Sequence, residues 1–168
     1  MIRFLQVVLG LMFVTSGLAK GLTPFISVMK LDEYLLIAGL DWFVRFDYII
    51  LVLLNATEVT LGVMLMFNIW PKLSLWVATL LMVVFTPKTL YVAIKGLMEY
   101  SGCYGGLFPV TPWLSHWKNV FMDVILIILW IKRGELYKLK LKANPYVVVV
   151  SVALAMVLMQ VLILIKIF

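Results

Sequence analysis

The chain has 168 residues, of which 65% are hydrophobic and only 13% charged, and its mean hydropathy is +1.13. Soluble domains are about 45–50% apolar and about 25% charged, so this composition excludes a soluble globular domain and predicts an integral membrane protein with room for about four to six crossings. The formal charge is +6, but the basic residues punctuate apolar runs instead of clustering, which excludes nucleic-acid binding; a single cysteine excludes an internal disulfide and a zinc or iron–sulfur cluster made by one chain.

The first predicted crossing runs from Phe4 to Ala19, between Arg3 and Lys20. Its apolar run exceeds the length of about 7–15 residues typical of a signal peptide, and SGLAKG continues without a clear cleavage site, so the segment reads as a crossing. Gly17 and Gly21 end it with GxxxG spacing, which reads either as a dimer contact or as glycines common at any helix end. The segment from Lys20 to Arg45 reads as a loop.

The second crossing spans Phe46 to Trp70 and the third Leu73 to Ile94, joined by a tight turn at Asn68, Pro71 and Lys72. Pro87 is predicted to kink or end the third helix. The fourth crossing, Trp113 to Ile131, follows Pro112, and the fifth, Tyr146 to Ile165, carries no charge. Continuous apolar runs specify helices, since barrel strands alternate over about ten residues. Trp42, Trp70, Trp113, Trp117 and Trp130 fall near predicted interfaces, where amphipathic rings anchor.

Lys132, Arg133, Lys138, Lys140 and Lys142 are concentrated between the fourth and fifth crossings, which predicts that this segment is cytoplasmic. The N-terminus is then cytoplasmic too. The loop holding Cys103 lies on the outer, periplasmic side of a bacterial inner membrane, where thiols exchange with disulfides.

Charged groups inside crossings mark sites by default. Glu58 lies midway along the second crossing, with Lys88 and Lys20 as candidate cations; Asp123 in the fourth has Asn55 or Thr57 as candidate neighbours. These acids read either as interhelical clamps or as a proton- or quinone-linked site. His116 is the single histidine and has no companion ligand nearby in sequence, so no metal site and no cofactor are predicted.

Gly102, Gly105 and Gly106 permit positive backbone angles, while Pro109 and Pro112 stiffen the entry to the fourth helix. The stretch reads as a compact cap that presents Cys103 outward, either as a reactive thiol or as a small apolar residue.

The stretch GCYGGLFPVTPWLSHWKN resembles the signature of the DoxX/MauE group of small bacterial membrane proteins. Its matching positions are Gly102, Cys103, Tyr104, Gly105, Thr111, Pro112, Trp113, Lys118 and Asn119; SGLAK from Ser16 to Lys20, Glu58 with Leu61 and Gly62, and Phe85 with Thr86 are similar to earlier parts of the same pattern. The resemblance implies an all-α four-helix transmembrane bundle over residues 1–132, to which a basic loop at 133–144 and an additional fifth transmembrane helix at 145–168 are added. It also implies thiol or electron-transfer chemistry on the outer side, with Cys103 as the reactive group and with other membrane or periplasmic proteins and membrane lipid as partners. MauE itself is associated with maturation of a disulfide-rich periplasmic enzyme.

This chain departs from that pattern at Ser101, where the group carries its first cysteine. Without a vicinal dithiol, Cys103 can form only a mixed disulfide, and a non-catalytic accessory or scaffold role in a larger membrane complex stands as the alternative.

Overall fold

The computed structural model describes residues 2–136 and 144–167, all of them helix, turn or loop. The helices are α1 (Ile2–Leu22), α2 (Pro24–Ile37), α3 (Asp47–Phe67), α4 (Pro71–Lys95), α5 (Pro112–Ile131), α6 (Arg133–Leu136) and α7 (Pro145–Ile167), and a 3-10 segment (Asp41–Phe46) leads into α3. Five are long and apolar enough to cross a membrane: α1, α3 with its 3-10 lead, α4, α5 and α7. The protein is a multi-pass, all-α membrane protein. Lys138, Lys140 and Lys142 lie outside the described residues.

Helices α1 and α3 pack backbone against backbone, the most extensive helix pairing among the described residues. A Cβ on Gly62 would stand 2.5 Å from the Gly10 carbonyl oxygen, and one on Gly10 would stand 2.6 Å from that of Gly62. In lipid, where no hydrophobic force joins apolar helices, such small-residue contact lets dispersion and polar bonds hold a pair together. Leu9 and Phe13 of α1 and Leu61 and Leu65 of α3 bury beside that contact, with Leu75, Ala78 and Met82 of α4 and Met122, Ile125 and Leu129 of α5. Gly17 meets Val59, Asn55 and Glu58 of α3, and Gly21 meets Met156, Met159 and Gln160 of α7. The GxxxG spacing is therefore filled from within the chain.

Polar bonds identify the two ends of the bundle. At one end, Gln6 Nε2 donates to Asn68 Oδ1 at 2.8 Å and Asn68 Nδ2 donates to the Leu136 carbonyl at 2.9 Å, so the start of α1, the α3–α4 turn and the end of α6 lie together. Tyr146 joins them through its edge-on contact with Trp70. At the other end α2 meets the 97–111 loop. The N-terminus and the start of the basic segment thus share one side, and Cys103 occupies the other. Asn68 (φ 55°) and Trp70 (φ 40°) form the tight α3–α4 turn that the sequence predicts.

Of the two outcomes predicted at Pro87, an end does not occur, since α4 continues to Lys95; a proline costs one backbone bond, and in a packed membrane helix that loss is tolerated. One expectation needs correction: the segment after Lys20 is largely helix, not loop. Pro24, whose missing N–H costs nothing in a first turn, opens α2 at its N-terminus. This helix buries Pro24, Ser27 and Tyr34.

Candidate functional site

Helix α2 lies across the end of the bundle and the 97–111 loop folds back over it. Tyr34 Oη donates to the Ser101 carbonyl at 2.7 Å, Ser16 Oγ to the Cys103 carbonyl at 2.9 Å, and the Gly106 N–H to Thr23 Oγ1 at 2.9 Å. Within the loop, Ser101 N–H donates to the Val110 carbonyl at 2.9 Å and Gly105 N–H to the Gly102 carbonyl at 3.0 Å. Gly102 (φ 66°) and Gly105 (φ 56°) occupy the left-handed region. Each also faces a wall: a Cβ on Gly102 would collide with Lys30, and one on Gly105 with the Thr23 and Ser27 hydroxyls. Only glycine satisfies both demands. Gly106 is not among the positive-φ residues.

The fold-back encloses a cavity of about 50 Å3 lined by α1 (Ser16, Lys20), α2 (Ser27, Lys30, Tyr34), α4 (Phe85, Lys88, Thr89), the loop (Ser101, Gly102, Cys103) and α5 (Lys118, Asn119). The sequence-predicted residues Lys20, Lys88, Gly102, Cys103, Lys118 and Asn119 converge here from four separate segments. Cys103 does not point away from the bundle: it is half-buried and lines this cavity, because Tyr34, Ser16 and Thr23 tie its loop inward.

Lysines dominate the lining. Lys20 Nζ is 2.5 Å from Glu58 Oε1, deep between α1 and α3, where Glu58 is fully buried. Of the two cations considered for Glu58, Lys20 is the partner. Lys30 pairs with Glu33 at 2.9 Å within α2. Lys88 instead sits 3.6 Å from the centroid of the Tyr34 ring, and Lys118 lies 4.8 Å from that of Tyr104. Ring faces attract cations but accept no strong hydrogen bond. Burial pushes the Cys103 thiol up, but the ammonium groups of Lys118, Lys88 and Lys20 and a hydrogen bond with Ser101 outweigh it and hold the thiol below its ordinary value. Burial, with the Cys103 and Glu33 charges, holds the Tyr34 phenol far above its usual range.

Ser101 is occupied structurally. Its Oγ is 2.5 Å from Ser115 Oγ and accepts the Cys103 N–H at 3.3 Å. Asn119, 2% exposed, donates from Nδ2 to Thr89 Oγ1 at 3.2 Å and to the Phe85 carbonyl at 3.4 Å, tying α5 to α4. Thr111 caps α5 by accepting from the Leu114 N–H, and Pro112 begins that helix; Trp113 is half exposed at its start.

The other polar residues lie elsewhere. Asp123 is half-buried and accepts from Thr86 Oγ1 of α4 at 2.7 Å, not from Asn55 or Thr57. Its helix packs against α4, and Thr57 turns outward to bond its own helix at Leu53. Asn55 is fully buried, and neither of its side-chain polar atoms has a hydrogen-bond partner among the described residues. His116 lies between the Trp113 and Trp117 rings.

Sequence reasoning missed Ser27, Lys30 and Tyr34, since α2 carries no apolar stripe to mark it. It also missed Thr89 and Ser115, whose small hydroxyls leave no pattern.

The family model described as methylamine utilisation protein MauE matches residues 1–132. No curated protein and no solved structure matches the chain.

Proposed function

The chain belongs to the MauE family, and from that premise we propose that it acts with partner proteins in thiol–disulfide exchange on the outer face of a bacterial inner membrane, through Cys103. One observation carries this reading: the thiol shares a small cavity with Lys20, Lys88 and Lys118, whose charges favour the thiolate. The thiolate is the nucleophile in disulfide exchange.

The step balances within the thiol pool. The Cys103 thiolate attacks one sulfur of a partner disulfide; a Cys103–partner S–S bond forms as the partner's own breaks, and the released thiolate takes up a proton. Ser101 has no sulfur to resolve this adduct, so a further thiol, elsewhere on the partner or on another protein, displaces Cys103 and leaves the partner with a new pairing; return of the partner's released thiol would only reverse the step. Placing the lysine-dense segment in the cytoplasm puts this exchange on the opposite face.

Ser101 favours a second reading, an accessory subunit without thiol chemistry, because its hydroxyl is taken up by Ser115 and the Cys103 N–H. Replacing Cys103 by serine separates the two. Loss of function in cells, with a partner adduct captured on the native chain and released by dithiothreitol, supports exchange; full function in C103S leaves the accessory role. In right-side-out vesicles, a membrane-impermeant maleimide is expected to label Cys103, and labelling only after the inner face is opened would reverse the orientation.

A further inference from the structure

The cavity carries more positive charge than the chain itself balances. Four ammonium groups line it, from Lys20, Lys30, Lys88 and Lys118, and among the described residues no carboxylate does. Glu58 and Glu33 stand behind Lys20 and Lys30, but among the described residues neither Lys88 nor Lys118 has an acid within ion-pair distance. Ionising Cys103 would supply one negative charge against these two. One positive charge is left over when the thiol is ionised and two when it is protonated.

Hydrogen bonding points the same way. Each ammonium carries three N–H donors, and Lys88 and Lys118 face aromatic rings. The hydroxyls around them give their protons to main-chain carbonyls, Ser16 to Cys103, Ser27 to Lys20 and Thr89 to Phe85, and can offer a cation only neutral lone pairs, not a charge. Removing an ammonium from water without an acceptor is costly. The size of the space selects what can offset that cost. About 50 Å3 holds a few water-sized groups, each needing about 10–15 Å3 by the same measure, and so fits a halide or nitrate but not an organic anion.

We propose that this cavity binds one small monovalent inorganic anion between Lys88 and Lys118, beside Cys103. The bound anion competes with the thiolate for the same two cations, so anion occupancy favours the protonated thiol. The inference needs the geometry of the cavity and not the exchange reaction, and the two can fail separately.

The test is the thermal unfolding of the purified full chain in mild detergent, at constant ionic strength, as sodium gluconate is replaced by sodium bromide or nitrate. A saturable rise in Tm is expected, about 3–5 °C at ten times Kd for a chain of this size. The rise should persist in C103S and disappear in Lys88→Met and, independently, in Lys118→Met. Equal Tm in all salts overturns the proposal, as does an undiminished rise in both lysine variants. Stabilisation by dimethyl phosphate alone would also overturn it, assigning the lysines to a lipid headgroup. On the native chain, bromide should slow maleimide labelling of Cys103 with the same midpoint as the Tm rise.

Discussion

Lys20 of α1 and Glu58 of α3 form a buried ion pair, Nζ to Oε1 at 2.5 Å, with the other carboxylate oxygen unpartnered among the described residues. It joins the two helices that pack most extensively among the described residues and holds one lysine of the cavity in place. Removing one partner of such a pair typically costs about 3–5 kcal/mol, because the other charge is left buried alone. Glu58→Leu and Lys20→Met should each lower stability by an amount of that order in detergent unfolding. The double variant should lose far less than the sum; strict additivity would show that the pair does not couple.

The Cys103 thiol should ionise below the range of an ordinary cysteine. A lowered value means more thiolate at every pH beneath the usual midpoint of about 8.5. The rate of maleimide labelling against pH is therefore expected to reach half its maximum below that point. Lys118→Met should move the midpoint upward and slow labelling at neutral pH several-fold. An unchanged profile would remove Lys118 from the thiol's environment.

Tyr34→Phe deletes the bond from α2 to the Ser101 carbonyl and nothing else of similar size. The expected stability loss is about 1 kcal/mol. The more telling readout is local: hydrogen exchange should quicken in the loop through residues 101–106, while that of α1 and α3 stays unchanged.

Gly62→Val places a side chain where the Gly10 carbonyl already lies. Backbones cannot yield as a flexible side chain does, so α1 and α3 must separate, at about 1–3 kcal/mol or more. The substitution should reduce the folded yield and lower Tm. Gly134→Ala, where an added Cβ meets nothing, should be neutral.

The crossings were legible because the membrane allows so few solutions. Every backbone polar group in hydrocarbon must bond within its own helix, so runs such as those of α1, α3, α5 and α7 announce themselves by length and composition alone. The turn at Asn68 was legible for a related reason, since few residues adopt positive φ. Helix α2 was not legible. Its buried face holds Ser27 and Tyr34 in place of an apolar stripe, and the periodicity that reveals a helix depends on such a stripe. At Pro87 the sequence left a kink or an end open, and the structure decided against an end, because neighbouring helices support a backbone that lacks one bond.

By itself, the sequence determined the solvent, the five helices long and apolar enough to cross a membrane, and the presence of charges too costly to lie in lipid without a purpose. Tertiary structure alone decided which charges meet. It chose Lys20 over Lys88 for Glu58 and Thr86 over Asn55 for Asp123, and it turned Cys103 inward among lysines from four different helices. The physical reason is range: burial of a segment depends on its own composition, whereas an ion pair or a shared cavity depends on distances between residues far apart in the chain, fixed only when the helices pack.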